Sequence, residues 1–202
     1  MTARSLTHAR WSAHVNAVRP EPAIRGWLVD DMSLTQKLSH RGQFRVQRLR
    51  QARGPCLRDE YAFAGLPRPL QVQERDVLLR CDGRPVVFAH TVVPLDASAA
   101  DWPCFGTLGE RSLGTTLFGD PRVVRGRLHY ARLPAQHPLT RRASRALEGQ
   151  VFASPLFARR CLYQRNKGVL LVTEVFLPAI ADLEPSQGRC QGDTTNQNAD
   201  IR

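Results

Sequence analysis

The sequence lacks the features that define several large classes of protein. Over its 202 residues no apolar run approaches the roughly 18 residues of a membrane-spanning helix, and the N-terminus has no apolar core of a secretion signal. The glycines form neither GxGxxG nor GxxxxGK[ST], which argues against the common nucleotide-phosphate cradles. We therefore expect a cytoplasmic protein that has no contact with a membrane.

Cysteine is scarce, and its spacing excludes two kinds of stabilised domain. The chain has five cysteines, an odd number, and no two of them are spaced as CxxC: Cys56, Cys81, Cys104, Cys161 and Cys190. This spacing fits neither a disulfide framework nor a zinc site with cysteine ligands. We expect reduced thiols, as in a cytosol, and no metal site.

The composition is that of a globular protein with an excess of basic residues. The hydrophobic fraction is 42% and the charged fraction 23%, and the net charge is +11. The length fits one domain with a core of its own. A positive balance favours an anionic partner, but nucleic acid, a membrane surface and a small polyanion all satisfy it.

The two ends differ in composition from the middle. Residues 1–20 carry arginine and histidine with no acid before Glu21, a pattern that fits either a transit peptide or a poorly packed N-terminal arm, and we take the arm. Residues 21–182 hold the apolar pattern of a domain. Residues 183–202 have almost nothing to bury and predict a disordered tail.

The middle of the chain predicts an α+β fold with an antiparallel sheet and flanking helices. Two short helices are expected after Glu21 and after the capping pair Ser33 and Gln36. The first strand is expected to begin at residues 43–46, and residues 53–71 resemble a long loop. Residues 108–118 predict a helix and residues 122–133 a long strand, whereas residues 134–150 form a connection of undefined shape. Strand–helix alternation of the parallel kind is missing.

Two hairpins are expected within this sheet. Asp82-Gly83 is a preferred two-residue turn, and it predicts a register in which Leu79 faces Val86 and Arg75 faces His90. The second hairpin joins residues 157–164 to 169–176. The sequence does not fix the length of the turn, and the register can shift by one residue. Glu174 therefore falls opposite Arg159, Arg160 or Cys161.

Glu174 is the most unusual residue, because it lies in the most apolar strand. On a period of two it shares a face with Leu170, Val172 and Phe176. A carboxylate buried there must be paired or must bind a proton. The alternatives are that this face is solvated or that Glu174 pairs with Arg160.

Arg75 is the natural partner for an anionic ligand. Its planar guanidinium matches a carboxylate in two hydrogen bonds. The alternative is an exposed arginine at a strand start. A second basic group predicted opposite it, His90, favours an anion between them, although such a histidine can also be a hydrogen-bonded core residue. The basic stretch 41–58 fits a nucleic-acid backbone or a solvated strand edge equally well.

Several segments in order resemble the bacterial chorismate pyruvate-lyase family. They are Trp27-Leu28 with Leu34-Thr35, Arg75-Asp-Val-Leu-Leu, the Asp82-Gly83 hairpin, Thr91-Val-Val-Pro94, Leu113-Gly114 before Leu117-Phe118, Phe157-Ala-Arg-Arg160, and Thr173-Glu174-Val-Phe-Leu-Pro178. The resemblance spans roughly residues 20 to 180. It implies an antiparallel sheet around a buried ligand cavity, conversion of chorismate to 4-hydroxybenzoate and pyruvate for ubiquinone biosynthesis, and no cofactor.

The resemblance also implies a set of site residues. An arginine matching Arg75 holds the ring carboxylate, a glutamate matching Glu174 faces the ring hydroxyl, and the backbone at Leu34 and Leu113 touches the ligand. Glu174 is then the catalytic residue. His90, which stands where the family usually has arginine, and Arg160 are candidates for the second carboxylate.

A different function is possible on the same fold. Some transcription regulators use it to bind small effectors without catalysis, usually after a helix-turn-helix segment for which residues 1–20 are too short. We expect the enzyme, acting on chorismate as a monomer and without a nucleic-acid partner.

Overall fold

The computed structural model describes residues 8–183. The five helices in this part of the chain are α1 (Pro22–Leu28), α2 (Leu34–Ser39), α3 (Leu95–Ala100), α4 (Leu113–Gly119) and α5 (Pro138–Ala146). The seven strands are β1 (Phe44–Pro55), β2 (Gln71–Cys81), β3 (Arg84–Pro94), β4 (Val123–Arg125), β5 (His129–Leu133), β6 (Leu156–Arg165) and β7 (Gly168–Phe176). Short 3₁₀ turns cover Val15–Val18, Pro103–Thr107 and Pro178–Asp182.

The strands form one antiparallel sheet. Their order is β1-β2-β3-β7-β6-β4, and β5 pairs with β6 beyond the end of β4. This confirms the predicted α+β class with an antiparallel sheet and flanking helices. None of the helices between residues 8 and 183 has the length and apolarity needed to cross a bilayer.

The register of the first hairpin is the main correction to the sequence prediction. Cys81 and Arg84 pair across the Asp82-Gly83 turn as expected, but the pairing shifts by one residue between Leu79 and Arg80. Beyond this bulge Arg75 lies opposite Thr91, and His90 lies opposite Asp76. Because a one-residue slip moves side chains to the other face of a sheet, Arg75 and His90 point in opposite directions.

The second hairpin has the shortest of the possible connections. Arg165 pairs with Gly168, so the turn consists of Asn166 and Lys167, and Asn166 takes a left-handed conformation with φ of 53°. Asparagine tolerates that conformation better than most residues. The resulting register places Glu174 opposite Arg159, which is one of the three predicted alternatives.

The two predicted N-terminal helices are present and cover one face of the sheet. Ser33 accepts a hydrogen bond from the Gln36 amide and so caps α2. Trp27, Leu28, Leu34 and Leu38 of these helices are buried in a core with β2 and β3. Val18 joins the same core, whereas the other residues between 8 and 20 are intermediate or exposed. The predicted tail lies outside the described residues, except for Leu183.

The other departures concern element boundaries. β1 runs to Pro55, into the predicted loop. The predicted strand 122–133 is broken into β4 and β5. The connection 134–150, whose shape the sequence did not define, contains α5. The His137 side chain caps this helix by accepting a hydrogen bond from the Leu139 amide. The predicted helix 108–118 begins only at Leu113, because Ser112 caps it and Gly109 takes a left-handed φ of 57°.

Candidate functional site

A cavity lies between the sheet and the helices α2 and α4. It contains about 540 Å³ of space between protein atoms, counting the part that opens to solvent. Apolar side chains form most of its wall, with Arg75 and Glu174 as the charged groups. The lining residues are Ser33, Leu34, Thr35, Val46, Arg75, Val77, Leu79, Ala89, Thr91, Ser112, Leu113, Gly114, Leu117, Phe118, Tyr163, Val172 and Glu174.

The strand register brings Arg75 and Glu174 to the same face. Arg75 of β2 pairs with Thr91 of β3, and Glu174 of β7 pairs with Ala89, two residues along β3. Two strand spacings and two residues along the strand separate their Cα atoms by about 12 Å. Because side chains stand roughly perpendicular to a sheet, both charged groups border the space above β3.

Arg75 is a buried cation without an acidic partner. The residue is 2% exposed, and its Nη2 donates to the carbonyls of Gly109 (3.0 Å) and Arg111 (2.9 Å). Its Nε is buried and has no hydrogen-bond partner, and no carboxylate within residues 8–183 forms an ion pair with it. Burial, and to a smaller extent the charge of Arg48, lowers the pKa of Arg75 to about 10. An anion at Nε would offset this cost.

Glu174 is held in place by a second arginine. Arg159 Nε donates to Glu174 Oε2 at 2.5 Å, and Arg159 Nη1 donates to the carbonyls of Trp27 (2.9 Å) and Asp30 (2.5 Å) at the end of α1. The Glu174 side chain is 19% exposed, whereas that of Arg159 is 2% exposed. One carboxylate oxygen is therefore fixed. The other, Oε1, receives no hydrogen bond from the described residues.

Leu34 and Leu113 lie at the starts of the two helices over the cavity. Both line it, Leu34 as the first residue of α2 and Leu113 as the first residue of α4. The hydroxyls of Thr35 and Ser112 are 2.6 Å apart and join the two helix starts. A side chain at Gly114 would come within 3.0 Å of Thr35 Oγ1, so the glycine permits this close approach.

His90 and Arg160, the two other predicted binding residues, do not line the cavity. His90 is fully buried on the opposite face, where its Nδ1 lies 2.5 Å from Asp76 Oδ1 and its Nε2 lies 3.4 Å from Glu60. Arg160 lies between the rings of Trp11 and Phe63, at 4.3 and 4.1 Å from their centroids, and donates to the Asp59 carbonyl. The bulge in the first hairpin explains the position of His90.

Arg159 and Tyr163 are site residues that the sequence did not single out. Arg159 was one of three possible partners of Glu174, and only the length of the second turn decides between them. Tyr163 is four residues further along β6 and therefore on the same face. Burial is the largest of the effects that raise the pKa of Tyr163, and the nearby Glu174 adds to it.

Comparison with known proteins places these features in a family context. A family model described as "Chorismate lyase" matches residues 5–184. A protein from Ralstonia nicotianae named "Probable chorismate pyruvate-lyase" is 47% identical over 79% of this chain and 83% of its own length. One of the same name from Cupriavidus metallidurans is 45% identical, over 84% of this chain and 80% of the relative.

A solved structure shares the fold. The crystal structure of the effector domain of PhnF from Mycobacterium smegmatis has a TM-score of 0.50 at 15% identity, covering 74% of this chain and 91% of that domain. At this identity the similarity concerns the fold alone.

Proposed function

The chain belongs to the chorismate lyase family, and we propose on this basis that it removes pyruvate from chorismate and releases 4-hydroxybenzoate for ubiquinone biosynthesis. One observation carries the proposal to this chain in particular. Arg75 and Glu174 line the same cavity, one as a cation without an acidic partner and the other as a carboxylate with a free oxygen.

Arg75 binds the ring carboxylate in this proposal. The carbonyls of Gly109 and Arg111 occupy Nη2, which leaves Nε–H as a buried donor without a partner in the described residues. A carboxylate oxygen that accepts from Nε–H makes a charge-assisted hydrogen bond and supplies this donor with its partner. A fixed arginine loses little further freedom when the anion binds, which favours affinity.

Glu174 acts at the opposite end of the ring. In chorismate the hydroxyl is para to the ring carboxylate, and the carbon that bears it also carries the proton that is lost. The free Oε1 accepts a hydrogen bond from the hydroxyl and is near enough to take this proton, directly or through a water. Arg159 keeps the carboxylate in this orientation through Oε2.

The reaction needs positioning more than activation. The bond between the ring carbon and the ether oxygen breaks, and its electron pair leaves with the enolpyruvyl group. The neighbouring ring carbon loses a proton, which makes the ring aromatic, and the enol of pyruvate takes up a proton at its methylene carbon. No electrons enter or leave, so a cavity that holds the ring and excludes water supplies what the chain must provide.

The direct test is to incubate the purified protein with chorismate. We expect aromatic absorbance from 4-hydroxybenzoate and an equal amount of pyruvate, measured by reduction with lactate dehydrogenase. Tight binding of chorismate without either product would reject catalysis and support an effector-binding domain. The pathway is tested separately, because ubiquinone should disappear on deletion of the gene and return when 4-hydroxybenzoate is fed.

A further inference from the structure

The substrate in the proposed function carries two carboxylates, and the site as described accounts for only one of them. Arg75 binds the ring carboxylate. Arg159 is committed to Glu174 and to carbonyls of α1, and its residue is 2% exposed. The two basic residues predicted for the enolpyruvyl carboxylate, His90 and Arg160, lie on the other face of the sheet. A further cation is needed on the cavity side.

Arg125 lies on the cavity side of the sheet. It is the last residue of β4 and pairs with Tyr163 of β6, whose side chain lines the cavity. Cross-strand partners share a face. The Arg125 guanidinium carbon is also 5.8 Å from the ring centre of Phe118, another lining residue. Arg125 therefore lies beside Phe118 and Tyr163, at the edge of the cavity that these two residues line.

The guanidinium of Arg125 has donors to spare. Nη1 donates to the Asp31 carbonyl, which fixes the group in place. Nε is buried and has no hydrogen-bond partner. No ion pair joins Arg125 to an acidic side chain between residues 8 and 183, in contrast to its neighbours Arg122 and Arg165, which both bind Asp120. Burial lowers the pKa of Arg125, but the neighbouring Tyr163 and Cys161 outweigh this effect and raise it. The guanidinium is therefore charged and has no acidic partner in the described residues, and a bound anion would offset the cost of its burial.

The chemistry of the substrate places its second carboxylate at this end of the cavity. The enolpyruvyl ether is attached to the ring carbon next to the one that bears the hydroxyl. If Glu174 faces the hydroxyl, the ether group leaves the ring near Glu174, and Tyr163 is close enough for the Glu174 charge to raise its pKa. Arg48, another arginine without an acidic partner between residues 8 and 183, is exposed and lies at the Arg75 end.

We infer that Arg125 binds the enolpyruvyl carboxylate of chorismate and so distinguishes substrate from product. The inference rests on the proposed function. Because 4-hydroxybenzoate lacks this carboxylate, the contact exists before the ether bond breaks and is lost from the bound aromatic product. Its positive charge also offsets the negative charge that moves to the departing enolpyruvyl group.

The test compares substrate and product affinity in Arg125→Ala. We expect the KM for chorismate to rise about 10- to 100-fold, the range for loss of a charged hydrogen-bonding partner, while the Kd of 4-hydroxybenzoate changes less than about threefold. Retained product binding shows that the variant is folded. Arg125→Lys keeps the charge and should recover part of the loss. Arg127→Ala, which removes an exposed arginine two residues away, should change neither constant.

Two results would overturn the inference. In the first, Arg125→Ala has an unchanged KM for chorismate. In the second, substrate and product affinity fall by the same factor, which means that Arg125 only supports the cavity wall. Failure of the proposed function is a different observation, because the unaltered protein would then release no pyruvate from chorismate.

Discussion

Adjacent residues of β2 face two environments that handle buried charge in opposite ways. Arg75 points into the cavity, where only carbonyls and no carboxylate meet it. Asp76 points to the other face, where His90 lies at 2.5 Å and Arg142 at 3.3 Å. Glu74, also on that face, is bound by Arg142 at 3.1 Å and by Arg50.

The difference separates a structural network from a binding site. On the far face Glu74 and Asp76 are each bound by a basic side chain, although buried Arg160 on that face has no acidic partner in the described residues. On the cavity face the cation lacks a counterion and the carboxylate keeps a free oxygen, so this face is complete only with a ligand. Adjacent Arg75 and Asp76 thus differ in whether a side chain of opposite charge binds them, and we expect variants on the two faces to fail in different ways.

The largest effect is expected from Glu174→Gln on the cavity face. Glutamine keeps the size and an acceptor oxygen but loses the basic carboxylate, so kcat for chorismate should fall about 10²- to 10⁴-fold. Product binding should stay close to that of the unaltered protein, whereas loss of the ion pair with buried Arg159 should lower thermal stability. Steady-state kinetics with chorismate measure this, with Glu21→Gln at an exposed position as the control. Turnover near the original rate would remove Glu174 from the mechanism.

On the far face, His90→Gln should damage stability instead of chemistry. The change removes the cation between two buried carboxylates, Asp76 and Glu60, and should lower the free energy of unfolding by about 3 kcal/mol. Urea denaturation measures this loss, and His40→Gln at an exposed position is the control. If His90→Gln instead raised the KM for chorismate with stability unchanged, the separation of the two faces would be wrong.

The same histidine predicts a pH dependence of stability. Burial lowers the pKa of His90, but the carboxylates of Glu60 and Asp76 outweigh it and raise this pKa to about 10. The folded state therefore binds a proton that the unfolded state releases above about pH 6.5. The free energy of unfolding should fall from pH 6.5 to 8, by up to about 1.4 kcal/mol per pH unit.

His90→Gln should remove most of this slope. The window stays below the range in which unfolded cysteines ionise, which matters because burial raises the pKa of Cys56 to about 12 and produces a slope of the same sign at higher pH. Denaturation curves at several pH values measure both proteins. An equal slope in the two would show that His90 does not carry the linked proton.

Arg75→Ala should chiefly weaken binding. Loss of the charge-assisted contact to the ring carboxylate should raise the Kd of 4-hydroxybenzoate about 100-fold. Arg75→Lys should recover only part of it, since an ammonium on a flexible stem does not place its donors as the fixed guanidinium does. Calorimetric titration measures the affinity, and Arg68→Ala in an exposed loop is the control. Unchanged product affinity in Arg75→Ala would contradict the assignment.

The smallest effect is expected where the two helices meet over the cavity. Ser112→Ala removes the cap of α4 and the contact with Thr35, and should cost about 1 kcal/mol of stability. Thermal unfolding measures the loss. A cost well above that value would mean that the join between α2 and α4 contributes more to the fold than one hydroxyl pair.

Local signals in the sequence predicted much of this fold. The start of α1 after Glu21, the Ser33 cap of α2, the Asp82-Gly83 turn and the apolar strand around Glu174 each depend on residues a few positions apart, and each was found. The bulge between Leu79 and Arg80 has no such signal, yet it decides which face His90 occupies. Helix α5 was missed because its residues are mostly polar and arginine-rich.

Some residues of the candidate site could likewise be predicted from the sequence, whereas others are found only from the folded structure. Arg75, Glu174, Leu34 and Leu113 could be named from the resemblance, and all four line one cavity. Arg125 could not, because β4 has three residues and its place beside Tyr163 depends on pairing with a strand some 40 positions away. Unpaired buried donors such as Arg125 Nε are visible only once the chain is folded.

A crystal structure with bound 4-hydroxybenzoate would show whether Arg75 and Glu174 hold the two ends of the ring. We predict a carboxylate oxygen at about 2.7–2.9 Å from Arg75 Nε, and the hydroxyl directed at Glu174. A product molecule bound elsewhere, or bound in this cavity with its carboxylate away from Arg75, would contradict the account.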